Sequence, residues 1–337
     1  MKFNNIAELR LLFALCVVVS HTIQLAGFKQ YDAWRLILSS EVAVQAFFIL
    51  SGFLVLGSYA RTPQIGGFYL RRILRIYPAY VVAVLLFLAL GIAQARSLGA
   101  DVHFSEVGRY LVANLSLLNF LQPGVTGVFH SHAYTEINGA LWTIKIEMMF
   151  YALVPLLHAC GRRWSFRLVA AMLMIIGLCW RPLLDLLQAS TGQNIHPSLA
   201  HQLPGQLHFF GLGVLLFDLA NRPAHRFGNA WIALGALLLA YTLGDMRAAL
   251  QMLLVSLFIF AATHMRQWRT PFEDADFSYG VYLSHFPIIQ LLIGAGAASL
   301  GAGGFLALVL VLATAYAMAS WHRVERPALQ LARNAAA

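Results

Sequence analysis

An imidazole inside an apolar helix can take or give a proton near neutral pH, in surroundings where polar groups seldom stand without a purpose. His21 in the apolar run 8–27 and His285 in the run 277–295 are such groups. Arg10 precedes His21 by eleven residues, which on a helix return to within about 20° of the same face after a rise of about 16 Å. Arg10, Ala14, Val17, His21 and Gln24 then form one stripe, small or polar at four of five positions. That face points to a cavity lining; a satisfied core histidine with an anchoring arginine is the plainer alternative. Ser278, Tyr282 and His285 share a face by the i, i+4, i+7 rule, with a helix–helix hydrogen bond as the alternative.

Two further stretches carry charge where it needs a reason. Leu141-Trp142-Thr143-Ile144-Lys145-Ile146-Glu147 lies in the run 138–160. Lys145 and Glu147 are two apart, so they face different ways and each needs a partner on another helix. Thr143, Glu147 and Tyr151 share a face. A structural ion pair within a bundle competes here with a chemical role. In Arg71-Arg72-Ile73-Leu74-Arg75-Ile76-Tyr77-Pro78, Arg72 and Arg75 stand one turn apart if helical. Paired arginines clamp phosphates well, and a cytosolic site for a phosphorylated cofactor is set against simple anchoring of a membrane helix. Ser51-Gly52 in Phe47-Phe48-Ile49-Leu50-Ser51-Gly52-Phe53 reads as a close-packing pair, since no base adjoins Ser51.

The elements that must position these groups follow from composition. The 337 residues are 60% hydrophobic and 11% charged, against about 25% charged in soluble domains. Charges fall in short clusters between apolar runs, which excludes a pair of soluble domains. Runs of about 20 apolar residues mark spanning helices. They fall at 8–27, 40–59, 76–95, 138–160, 166–184, 204–220, 228–244, 248–264, 277–295 and 304–322. From Phe277 to Trp321 there is no Asp, Glu, Lys or Arg, and Gly294, Gly296, Gly301, Gly303 and Gly304 split that stretch in two. The apolar segment 110–121 is short for a span. Treating it as a re-entrant or interfacial helix and placing the N-terminus in the cytoplasm puts 16 of the 23 Lys and Arg inside, 6 outside and Lys145 within the membrane, as the positive-inside rule requires. The expectation is an all-α polytopic membrane protein of about ten spanning helices, a single membrane-embedded domain over 1–337, with both termini cytoplasmic.

The net charge of +9 is accounted for by basic loops, and no basic–aromatic stripe suggests nucleic acid. Cys16, Cys160 and Cys179 show no metal spacing and read as packing residues; no metal is expected. The first run, with no small-residue cleavage site before His21, reads as a retained helix and not a cleaved signal.

Together these segments resemble the acyltransferase-3 family of membrane acyltransferases. The resemblance is carried by Arg10 with His21, Phe47 to Phe53, Arg72-Ile73-Leu74-Arg75-Ile76-Tyr77-Pro78, Leu141-Trp142-Thr143 followed by Glu147, Ser278-Tyr279 through Tyr282-Leu283-Ser284-His285, and Glu325-Arg326-Pro327. Glu41-Val42-Ala43-Val44-Gln45 departs from the family pattern, where glycine and a different polar residue are commoner, so the acceptor side is expected to differ. Many relatives add an extracytoplasmic hydrolase-like domain; none is expected here.

The resemblance implies transfer of an acyl group, often acetyl, from cytosolic acyl-coenzyme A to a hydroxyl of a cell-envelope or exported glycan, in the bacterial inner membrane. It implies essential roles for Arg10 and His21, donor binding by Arg72 and Arg75, and an acidic role for Glu147. On that basis Arg10, Arg72 and Arg75 meet the donor phosphates, and the thioester arm reaches along the Arg10–His21 stripe. His21 then acts as general base, with Glu147 orienting it or holding the acceptor. Tyr282 and His285 stand near a developing oxyanion, with Lys145 and Trp142 in the surroundings. The rival is a transporter or flippase without chemistry, against which stands the lack of a visible inverted repeat of broken helices.

Overall fold

The computed structural model describes residues 5–192, 199–221, 255–259, 261, 263, 265, 266 and 275–334. Among these there is no strand. The helices are α1 (Ile6–Leu25), α2 (Asp32–Ile37), α3 (Ser40–Arg61), α4 (Ile65–Ser97), α5 (Val107–Leu115), α6 (Trp142–Arg163), α7 (Phe166–Thr191), α8 (Leu203–Ala220), α9 (Ser278–Gly294), α10 (Gly301–Ser320) and α11 (Arg326–Asn334). A π-turn at Trp321–Glu325 joins α10 to α11.

Seven helical stretches among the described residues are long and apolar enough to cross a membrane, and the protein is an integral membrane protein. They correspond to seven of the ten expected runs. Of the other three, 228–244 lies outside the described residues, as does most of 248–264. The third, 277–295, is the 17-residue α9. The short apolar segment 110–121 folds as the nine-residue α5 followed by a 3-10 turn at Asn119–Leu121. Nine residues rise only about 14 Å, less than half of a hydrocarbon core of about 30 Å.

The largest departure from the expected boundaries is α4. Its 33 residues extend for about 50 Å, beginning eleven residues before the apolar run 76–95. Arg72 and Arg75 therefore sit on the same continuous helix as that run, not in a loop. The segment 65–75 has no proline or charge alternation to stop helix growth, and Pro78 lies well inside without ending it. Between α9 and α10 the glycines act as expected: Gly296 and Gly301 take φ of +74° and +73°, a region costly for other residues.

The chain forms two compact units. The first comprises Met1–Leu9, Val44–Phe68 and Ile146–Trp268. Its helices approach closely at small residues. A Cβ at Gly52 on α3 would lie 2.2 Å from the Phe210 carbonyl oxygen and 3.0 Å from the Gly213 Cα of α8, which explains the Ser51-Gly52 pair as packing. Phe150 of α6 stacks on Phe210 at 4.3 Å between centroids. Arg167 of α7 pairs with the buried Asp218 of α8 at 3.0 Å.

The second unit comprises Arg10–Ala43, Tyr69–Lys145 and Arg269–Ala337. At its centre is α9, buried without interruption from Ser278 to Gln290; a helix covered on every side belongs inside a bundle. Gly280 lets α10 approach so near that a Cβ there would meet the Ala317 Cα at 2.6 Å. Pro287, inside α9, has no N–H to give the carbonyl four residues earlier. The Asn138 amide fills that gap, donating to the Leu283 carbonyl at 2.8 Å. In an apolar surrounding every freed backbone group needs such a partner, so Asn138 stabilises the turn that carries His285.

Candidate active site

The second unit gathers most of the polar residues singled out above. They form two rungs between α1 and α9.

The first rung is charged. The Arg10 Nη1 donates to Asp276 Oδ2 at 3.0 Å, and Arg75 Nη2 of α4 donates to the same oxygen at 2.5 Å. The other carboxylate oxygen accepts the Ser278 backbone N–H at 3.2 Å and the Ser278 hydroxyl. Asp276 thus caps the start of α9, where N–H groups lack helical partners and a negative charge is favourable. Burial alone would raise its carboxyl. Arg10, Arg75 and the Ser278 hydroxyl outweigh that and hold it at about 2, so Asp276 is an anion at neutral pH. Arg72 is half-buried one turn before Arg75 on α4. Glu325, buried on the turn after α10, also interacts with Arg10, Arg75 and Asp276, so three arginines stand here with two acidic side chains.

The second rung is histidine to histidine. His21 Nδ1 lies 2.9 Å from His285 Nε2. The ring planes differ by 15° with centroids 5.1 Å apart; with nitrogens that close, the rings meet end-on in nearly one plane and do not stack face to face. His285 Nδ1 donates to the Tyr282 carbonyl at 2.7 Å. The edge of Phe286 packs against His21 at 5.7 Å. His285 is fully buried, while His21 keeps part of its surface exposed. Between the rungs, Ala14 and Val17 are fully buried, so the stripe joining Arg10 to His21 is packed along its middle.

Arg10 meets Asp276 at one level and His21 meets His285 at the next, both in increasing chain order, so α1 and α9 run parallel. The rungs are separated by about 16 Å along α1 and, from Asp276 just before α9 to His285, by about 14 Å at helix rise.

The other expected residues lie as follows. The Tyr282 hydroxyl pairs with Thr143 Oγ1 at 2.8 Å, and Thr143 also donates to the Ala140 carbonyl at 3.0 Å. Lys145 is buried with its ammonium 4.4 Å over the Phe120 ring, a cation–π contact. Trp142 is half-buried at the start of α6. Glu147 belongs to the first unit, where its carboxylate accepts the Tyr151 hydroxyl, as their i, i+4 spacing allows.

Two sets of residues escape a reading by sequence alone. Asp276 is the first; the signal for it was an acid just before a charge-free helix, on the side where the arginines cluster. The second is a polar network one turn beyond His21. There Gln24 donates to the Tyr134 hydroxyl at 2.8 Å and accepts from Arg35 at 3.0 Å. Gln290 of α9 donates to the Tyr134 carbonyl at 2.6 Å, and its Oε1 lies 2.9 Å from His132 Nδ1. Tyr134 and His132 lie in irregular backbone with no periodicity to mark them. Among the described residues no group of three or more His, Cys, Asp or Glu is placed to hold a metal ion.

Comparison with known proteins bears on the family. Residues 5–321 match a family model described as an acyltransferase domain. Nodulation protein 10 of Rhizobium leguminosarum bv. viciae is 26% identical over 97% of this chain and 94% of its own length. An O-acetyl transferase of Shigella phage Sf6 is 23% identical over 96% of both chains. Acyltransferase MdmB of Streptomyces mycarofaciens is 26% identical over 49% of this chain and 42% of its own. No solved structure matches. A matching domain that covers nearly the whole chain, over a unit that sets paired arginines and a histidine on shared helices, places the protein in the acyltransferase-3 family.

Proposed function

We propose that the protein transfers an acyl group, acetyl in the first instance, from cytosolic acyl-coenzyme A to a hydroxyl of a cell-envelope or exported glycan. The observation that carries this is the pairing of the two rungs: an arginine-rich end built from Arg10, Arg75 and Arg72, and an accessible imidazole about 16 Å further along the same helix. That distance is comparable to an extended pantetheine arm. Guanidinium groups suit phosphates, and the neutral imidazole suits a hydroxyl proton. The name of the phage relative, an O-acetyl transferase, supports acetyl as the group moved. Membership of an acyltransferase family counts against the transport alternative.

In this mechanism His21 takes the proton of the acceptor hydroxyl as its oxygen attacks the thioester carbonyl. The new C–O ester bond forms, the C–S bond breaks, and the coenzyme A thiolate leaves with the proton held by His21. Because Ala14 and Val17 are packed over, the arm runs beside α1 and not across those two residues. Burial of His285 and the Tyr282–Thr143 bond favour supporting roles for both over direct contact with the oxyanion. Glu147, Lys145 and Trp142 enter through the family resemblance. The chain is taken as one membrane-embedded domain of ten spans in the bacterial inner membrane, with both termini in the cytoplasm.

The test is transfer of label. Purified protein in lipid nanodiscs, given acetyl-labelled acetyl-coenzyme A and lipopolysaccharide or exopolysaccharide, should release coenzyme A thiol and leave a base-labile acetyl ester on the glycan. His21→Ala should do neither while still inserting and folding. Full activity of that variant would remove His21 from the mechanism.

A further inference from the structure

The hydrogen bonds of the second rung fix where its protons sit. A backbone carbonyl only accepts, so the 2.7 Å contact between His285 Nδ1 and the Tyr282 carbonyl requires the proton on His285 Nδ1. In a neutral ring, His285 Nε2 is then a lone pair. That nitrogen lies 2.9 Å from His21 Nδ1, so the proton between them belongs to His21 Nδ1. His21 in turn has its lone pair on Nε2, the nitrogen turned away from His285. We propose that His285 is a positioning residue that holds His21 as its Nδ1–H tautomer, with Nε2 unprotonated and aimed at the reacting hydroxyl.

The order carbonyl, imidazole, imidazole does for His21 what a carboxylate does for the histidine of a hydrolase triad: it selects the tautomer and fixes the ring. A neutral partner suits this place. A carboxylate within a membrane is costly, whereas a second imidazole anchored to a carbonyl supplies an acceptor without charge. The end-on geometry, near-coplanar at 15°, is what a directed N–H···N bond needs. The Phe286 edge on His21 and the Gly139 contact behind it keep both rings in register; a Cβ at Gly139 would come within 2.8 Å of the Phe286 ring. The local device begins with Pro287 and Asn138, which set the turn that presents the Tyr282 carbonyl and His285 together.

This assignment rests on His21 as the base, so its test has an arm that does not depend on turnover. Solid-state nitrogen NMR of 15N-histidine-labelled protein in lipid, with the His21 signals assigned by their loss in His21→Gln, reads the tautomer directly. The expected result is an Nδ1–H His21 in the unmodified protein. In His285→Leu, which removes the acceptor, the Nε2–H form should appear. Its kcat should fall by about 10²–10⁴-fold, with KM for acetyl-coenzyme A within about threefold. His285→Gln, whose amide oxygen can accept the same hydrogen bond, should retain the Nδ1–H form and at least a tenth of kcat. An Nε2–H His21 in the unmodified protein overturns the assignment whether or not the protein transfers acetyl. So does unchanged kcat in a folded His285→Leu. Absence of any acyl transfer together with an Nδ1–H His21 leaves the tautomer assignment standing and removes the function proposed above.

Discussion

The two rungs join the same pair of helices by opposite means. Near the start of α9, two arginines, a carboxylate, a hydroxyl and a helix N-terminus converge within ordinary hydrogen-bond reach. Further along, two histidines meet by a single bond, and the nearest ring to His21 besides His285 is Phe286. At the end of an apolar run ions are cheaper to gather than at its middle, and in the function proposed above the arginines suit a phosphorylated ligand. Deeper in the apolar run each ion is expensive, and chemistry must be done by a group that is neutral at rest. On the function proposed above, the difference divides binding at one end from bond-making at the other, with α1 and α9 as the ruler between them.

The sharpest way to break that division is to remove one member of each rung and read binding apart from turnover. His21→Ala should lower kcat by at least about 10³-fold, the order expected for loss of a general base, while the Kd for acetyl-coenzyme A stays within a few-fold. Arg75→Ala should give the reverse pattern: Kd raised about 10–100-fold, from loss of a charge-assisted bond worth about 1.5–3 kcal/mol, with kcat near normal at saturating donor. Calorimetric titration with acetyl-coenzyme A and single-turnover rates measure the two separately. Equal effects of both substitutions on kcat would mean that the rungs are not divided between binding and chemistry.

How much of this was legible in the sequence differs between the rungs for a physical reason. His21, His285 and the two arginines stood out because their types are costly in apolar runs and their spacing matches a helix. The partner of each did not, because periodicity reports which face a residue is on and not which helix that face meets. Asp276 was hidden further by sitting outside the apolar run it caps. The positive-inside bias concerns Lys and Arg alone, so it carries no signal for an acid placed among them. Boundaries were legible where glycine or a dense charge cluster ended an element, as at Gly294 to Gly304. They were not at α4, where an arginine-rich stretch is as good a helix former as the apolar run it leads into. The segment 110–121 was legible as too short to span, but not the irregular stretch after it that brings Tyr134 and His132 to Gln24 and Gln290.

The charged rung can be sharpened by pH. Asp276 is held at about 2 in the folded protein, below the value of about 3.9 for an exposed aspartate. Its ionised form is therefore favoured by folding. The contribution, on the order of 2 kcal/mol, is fully present above about pH 4 and is lost as pH falls towards 2. Thermal unfolding in detergent between pH 3 and pH 7 should show stability falling below about pH 4. Asp276→Asn should be less stable at pH 7, and the gap to the unmodified protein should narrow towards pH 3. Parallel curves would mean that the carboxylate adds no net stability to the arginines it joins.

The histidine rung offers a smaller and more local test, through the backbone that presents it. Asn138→Ala leaves the buried Leu283 carbonyl without the donor that Pro287 cannot supply, a loss of about 1–3 kcal/mol. Pro287→Ala restores a backbone N–H at the position four residues on, which can close the ordinary helical bond to Leu283 and make the Asn138 amide redundant there. The double variant should therefore lose less stability than the sum of the two single changes, by about 1 kcal/mol, which a double-mutant cycle resolves. The Asn138 side chain also accepts the Ala140 N–H at 3.2 Å, so rescue should be partial. A coupling of zero would show that the freed carbonyl finds another partner when Asn138 is gone. The turn holding His285 would then be set by packing against α10 at Gly280, not by the amide.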